Sequence, residues 1–380
     1  MRAAHRYAHV LLTGGLLAVV LVGGCAGSRQ AAPSLDTRLD LARTYSAQIS
    51  GDALLVWIDG DLVLEDYPGD YDPTQPHVLT EISALLPSLV ALKAAGDGRL
   101  ALDDPVADAL PEWKRDSLKA QITVGQLLRY TGGLRPGNPE TPPTYEEAIE
   151  APLVHEPGAG FRYGPTSIHV FGALMERALG SFGGLKEQIL RPLGIPGGRW
   201  SAVGGPVDAP SARGLTPRLF DGARLTPREL LRVGRLLLQN GRWKGEQIIE
   251  DVDPLTHPAP ASPGFGLGVW LNAEIPSAGS SGPGAAFRRQ VPERIMIPRG
   301  QQRLIYDGAP PDLYMAAGRF NQRLYVIPSR EMVVVRLGRA NRTWSDPAFL
   351  ARLLDGRRPQ EPAAEETSGE DRGRAGGPRK

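Results

Sequence analysis

Residues 80–113 read TEISALLPSLVALKAAGDGRLALDDPVADALPEW. The first half is almost continuously apolar, and Pro87 sets its phase. Proline is tolerated in a helix only within the first turn, where its missing N–H is not needed. A helix beginning near Ala84 meets that constraint, with Ser83 as its N-cap, a hydroxyl able to accept one of the orphan N–H groups. Glu81 lies just upstream, where those N–H groups favour the carboxylate anion and lower its basicity. A cap-like or solvent-facing role is expected for it.

Outward from this stretch the pattern alternates. Residues 53–58 (ALLVWI) and 62–64 (LVL) are apolar runs joined by Asp59-Gly60-Asp61, a hairpin signal. Residues 324–337 (LYVIPSREMVVVRL) form a second hairpin turning at Pro328-Ser329-Arg330-Glu331. Between them lie helical segments, including 168–179 and 228–240. Strands at both ends of a chain with helices between them imply an antiparallel sheet completed by the two termini.

Several segments carry a family resemblance, in order along the chain. GRLALDDPVADALPEW (98–113) is similar to "GxLxLDDPVxxYLPEW"; ITVGQLLRYTGGL (122–134) to "ITIRHLLTHTSGL"; PGAGFRYGPTSIHVFGALMERALG (157–180) to "PGxxFxYSNxGYxLLGxIIExxxG". ARLTPRELLRVGRLLLQNGRWKGEQII (223–249) and FGLGVW (265–270) resemble "YSTAxDLARFGxLLLNGGxWxGxxIL" and the strand "YGLGWW". Together they resemble the serine β-lactamase, penicillin-binding protein and esterase superfamily, over roughly residues 46–355. The resemblance implies an α/β (α+β) class and a β-lactamase/transpeptidase-like fold: an antiparallel sheet built from both chain ends, flanked by helices, plus an inserted helical domain at about 105–225. An active site would lie in the cleft. Asp103-Asp104-Pro105 resembles the family's structural turn, not a carboxylate pair for acid–base work.

The same resemblance assigns site positions. The family's Ser-x-x-Lys opens a helix about seventeen residues before the glycine matched by Gly98, which lands on Glu81 for the serine and Ala84 for the lysine. Neither supplies the nucleophile or the base that such a serine needs. No other register gives Ser-x-x-Lys: Ser83 is followed three residues on by Leu86, and Ser88 by Ala91. Ser83 remains as an alternative nucleophile. Tyr163 falls where the family's proton-transferring tyrosine belongs, with Pro165 in place of the asparagine of Tyr-x-Asn. Ala316-Ala317-Gly318 corresponds to the Lys-Thr-Gly strand without its cation. There Gly318 either lets a substrate approach closely or merely starts the turn before Gln322. In the family, two backbone N–H groups, one from the serine and one from a facing strand, form an oxyanion hole.

With 43 Lys and Arg against 42 Asp and Glu, the near-zero balance gives no reason to expect nucleic acid as a partner. The six histidines are scattered singly and offer no metal-ligand spacing, so neither metal nor cofactor is expected. The single cysteine, Cys25, follows Arg2, Arg6 and the apolar run 10–22. That run has signal-peptide length and is short for a transmembrane helix. Val22-Gly23-Gly24-Cys25 resembles a bacterial lipobox. Lipid on its thiol would anchor the chain at about 0.8 kcal/mol per buried methylene. Ala26, where Asp would favour inner-membrane retention, points to the outer membrane facing the periplasm.

The expected organisation is a lipoprotein signal peptide over 1–25, a tether over 26–42, a β-lactamase-related domain over 43–355 and a disordered tail over 356–380. Two functions compete. One is an envelope lipoprotein whose nucleophile motif has eroded and which binds or scaffolds, with a peptidoglycan-like or small ester or amide ligand. The other is an active serine hydrolase of esterase, amidase or D,D-peptidase type, using Ser83 or another group with Tyr163.

Overall fold

Largely apolar strands from the two ends of the chain come together in one antiparallel sheet. The computed structural model describes residues 33–359 apart from 181, 196–198, 206–215, 277–279, 293–294, 296, 298–299 and 340–343. Cys25, the expected signal peptide and the tail from 360 onward lie outside the described residues.

The strands are β1 (Gly51–Ile58), β2 (Asp61–Asp66), β3 (His77–Val78), β4 (Arg199–Trp200), β5 (Ala223–Leu225), β6 (Arg242–Trp243), β7 (Glu246–Gln247), β8 (Trp270–Leu271), β9 (Tyr314–Gly318), β10 (Gln322–Ile327) and β11 (Met332–Gly338). The α-helices are α1 (Leu35–Gln48), α2 (Leu85–Gly96), α3 (Val124–Leu128), α4 (Tyr145–Glu150), α5 (Pro165–Leu179), α6 (Phe182–Leu190), α7 (Pro227–Leu238), α8 (Pro283–Gln290) and α9 (Asp346–Leu350). The main sheet runs β2-β1-β11-β10-β9-β8, so the chain's first and last strands pair at its centre, with Val56 opposite Val334. Asp59 and Gly60, both at positive φ, make the two-residue turn between β1 and β2. Glu331, left-handed at φ 43°, closes the β10–β11 hairpin.

Helix α7 starts at a capping box, Thr226 with Glu229, and Pro227 occupies its first position. It packs on one face of the sheet so closely that a Cβ on Gly234 would lie 2.5 Å from Val333 Cγ1 and 2.8 Å from Leu324 Cδ1. On the other face, α1 and α9 cover two buried arginines. Arg323 pairs with Asp346 at 2.7 Å, and Trp344 Nε1 donates to the same carboxylate at 2.9 Å. A desolvated ion pair of this kind holds only when its remaining hydrogen bonds are satisfied.

Three expectations need correction. Residues 35–42, placed in the tether, form the first half of α1; Leu39 and Ala42 are buried against the domain, and Ser34 caps the helix. Of 265–270 only Trp270 belongs to a strand, because Gly268 at φ 75° turns the backbone. Ser83 is not an N-cap: Thr80–Ala84 form a 3₁₀ turn and α2 starts at Leu85, which still leaves Pro87 in the first turn.

Candidate functional site

The 3₁₀ turn at Thr80–Ala84 lies against the end of β9. A Cβ on Gly318 would fall on Thr80 Oγ1 and come within 3.0 Å of the Glu81 nitrogen. Only a glycine permits that approach, so what nears Gly318 is the chain's own turn. Thr80 is held in the left-handed region at φ 50°, and its hydroxyl donates to Leu79 O at 2.7 Å. A β-branched residue there is strained.

Glu81 follows, and it is not solvent-facing: its relative exposure is 2%. Nor does it cap its own helix. Its Oε2 accepts the backbone N–H of Arg319 at 2.7 Å, and Oε1 lies 3.4 Å from Arg319 Nε. The same guanidinium donates to Asp221 Oδ2 at 2.8 Å. Asp221 is gripped from its other side by Arg218, through Nε at 2.9 Å and Nη2 at 2.8 Å. Two carboxylates and two guanidiniums thus form a network of zero formal charge, buried except at Arg319, whose side chain is 26% exposed. Burial raises the Asp221 carboxyl above its ordinary range; the Arg218 hydrogen bonds and the charges of Arg218 and Arg319 pull it back, and Glu81 adds to the rise.

The backbone that presents Arg319 is itself braced. Phe320 and Asn321 turn at φ 59° and 61°, and Arg336 donates to both of their carbonyls, at 2.9 and 3.0 Å.

Ser83 is fully buried and committed in both roles. Its hydroxyl donates to Thr80 O at 2.5 Å and accepts the Ala223 N–H at 2.9 Å, pinning β5 to the turn. Ala84, expected at the family's lysine position, is buried and carries only a methyl. Ala316 is buried in β9, opposite Leu324.

Tyr163 is half-buried in an aromatic cluster, with ring centroids 4.9 Å from Tyr130, 5.3 Å from Phe220, 5.4 Å from Trp270 and 5.9 Å from Phe265. Pro165 opens α5 at its first position, where its lack of an N–H costs nothing. Phe220 touches Tyr163 while its neighbour Asp221 holds Arg319, so one short segment joins the tyrosine to the network around Glu81. Arg218, Asp221 and Arg319 were missed by sequence reasoning. A signal was present for one of them: a cation directly after Ala316-Ala317-Gly318, at the end of an otherwise apolar strand.

Chemically, this is an ion-pair cluster in which Glu81 Oε1 and Arg319 Nε, 3.4 Å apart, meet through charge and not through a hydrogen bond. The carboxylate is held by a cation and a backbone N–H, and the nearest hydroxyl is spent on backbone groups.

A family model described as Beta-lactamase matches residues 38–355. Similar solved structures include the D-alanine carboxypeptidase AmpC from Burkholderia cenocepacia, 16% identical over 85% of this chain and 100% of that one, with a TM-score of 0.60. A penicillin-binding protein homologue from Caulobacter crescentus is 16% identical over 86% and 98% of the two chains, with a TM-score of 0.59. A class C β-lactamase in complex with cefoxitin is 17% identical over 84% and 96%, with a TM-score of 0.58. At such identities the likeness is one of fold. A search among curated proteins finds no match.

Proposed function

The chain belongs to the β-lactamase family, and on that premise we propose that it is a member without hydrolytic chemistry, acting by binding or scaffolding. One observation carries the reading. The Glu81 carboxylate, at the position the resemblance assigns to the family's serine, accepts the Arg319 N–H at 2.7 Å at the end of β9. A working site would turn such an N–H toward the oxyanion of a substrate. Here the protein's own anion takes it, and the Arg319 and Arg218 cations neutralise the charge.

The competing reading, an active hydrolase built on Ser83 with Tyr163, is disfavoured by the two bonds that fix the Ser83 hydroxyl. Attack on a substrate would require breaking both in a buried position. The sequence before the domain supports a lipid anchor on Cys25 and a place in the bacterial envelope, facing the periplasm. A peptidoglycan-like or small ester or amide ligand is the class of partner the family fold suggests.

The test is covalent labelling. The full chain, treated with a fluorophosphonate probe or a penicillin and analysed by mass spectrometry, should carry no adduct on any serine. A stoichiometric adduct on Ser83 that disappears in Ser83→Ala would overturn the proposal.

A further inference from the structure

On the outer side of α7, away from the Glu81 network, Arg235 is sandwiched between two indoles, with its guanidinium carbon 4.8 Å from the Trp57 ring centre and 5.1 Å from that of Trp243. Ring faces stabilise a cation but leave the in-plane N–H donors open. Among the described residues no hydrogen bond engages a donor of Arg235, and its Nε is buried without a partner. The Trp243 indole N–H is likewise buried and unpartnered, on a residue only 7% exposed. Both side chains line two adjoining cavities of about 440 and 420 Å³.

Arg232, Arg242 and Lys244 complete the lining. Arg232 donates to the carbonyls of Leu193 and Gly194, and Arg242 to Gly245 O and Gln247 Oε1. Among the described residues none of these four cations is ion-paired with a carboxylate. Lys244 adds an independent sign. It holds φ 49° in the two-residue turn Lys244-Gly245 between β6 and β7, a place that suits asparagine far better. A long cation is kept there at a conformational cost.

We propose that this cavity is a binding site for a phosphate-bearing ligand. Four cations that no described carboxylate neutralises, gathered on one lining, ask for an anion carrying more than one charge and several acceptor oxygens. A phosphate group supplies both, and the Arg fork matches its geometry. The site stands apart from the Glu81 network and does not depend on the function proposed above.

The experiment uses the full chain and follows thermal unfolding in inorganic phosphate and in chloride of equal ionic strength. Dihexanoyl phosphatidylglycerol forms a second arm, with dihexanoylglycerol as its acyl-chain control. Phosphate should raise the wild-type midpoint above that in chloride. Lys244→Asn should raise the midpoint in chloride, because it relieves the turn, yet weaken phosphate roughly fivefold. Arg235→Gln should remove the phosphate increment. Protection by both phosphate and the anionic lipid makes the phosphate group alone sufficient; protection by the lipid only makes the ligand a headgroup. An increment equal in wild type and both variants is a general salt effect and overturns the proposal. So does protection by dihexanoylglycerol equal to that by the anionic lipid, or no protection by any probe.

Discussion

Replacing Glu81 separates a structural lock from a dormant catalytic group. Among Glu81, Asp221, Arg218 and Arg319 the charges sum to zero, so Glu81→Ala leaves a net positive charge in a buried cluster. It also strips the acceptor from the Arg319 N–H, a bond of 2.7 Å to a charged group. A hydrogen bond to a charged partner contributes about 1.5–3 kcal/mol, and an orphaned buried donor costs about 1–3 kcal/mol. The Glu81–Arg319 side-chain pair adds less: at 3.4 Å, with the arginine 26% exposed, it is worth about 1 kcal/mol or below. Removing the carboxylate also recovers part of its own desolvation cost. Glu81→Ala should therefore lose about 3 kcal/mol of unfolding free energy. Glu81→Gln keeps an oxygen for the N–H and should lose only about 1 kcal/mol. Urea unfolding of wild type and both variants measures the difference. Groups held for chemistry behave oppositely, since removing them is commonly neutral or stabilising. If Glu81→Ala unfolds at the same or higher urea than wild type, or if the two variants are indistinguishable, Glu81 is not a structural lock.

Two further outcomes follow from packing and burial. Gly234→Ala places a methyl 2.5 Å from Val333 Cγ1 and 2.8 Å from Leu324 Cδ1. Overpacking of about 1–3 kcal/mol outweighs the gain of about 1 kcal/mol in helix propensity, so a lower thermal midpoint is expected and a higher one would refute the close packing of α7. His169 is buried, its Nδ1 lies 2.6 Å from Pro143 O, and burial pushes its pKa down to about 4. The unfolded chain then binds the extra proton first: stability is complete above about pH 6.5 and is lost as pH falls towards about 4, on the order of 3 kcal/mol in all. Urea midpoints between those pH values should slope less in His169→Gln than in wild type; equal slopes would contradict the assignment.

Much of the framework was legible because it rests on local rules. The paired apolar runs in 53–64 and 324–337, with turn residues at Asp59-Gly60 and Glu331, dictate hairpins wherever they end up. Thr226-Pro227 with Glu229 starts α7 through bonds that span three residues. Pro87 fixed its helix start to within a residue, for a reason internal to the backbone. The absence of a serine at 81 and a lysine at 84 is likewise a property of the sequence alone.

What those positions do instead was decided by tertiary structure. Nothing local tells Glu81 that Arg319, 238 residues away, will offer it a backbone N–H. Local reasoning gives a carboxylate before a helix a cap-like or solvent-facing role; the fold buries it, and burial makes a partner obligatory. Ser83 had the chemistry of a cap, but the N–H groups of its own helix lost to Ala223, 140 residues on, because a buried strand end needed an acceptor. Sequence fixes what each residue can donate, accept or bury. Which group meets it is settled only when distant segments are packed together and water is removed from between them.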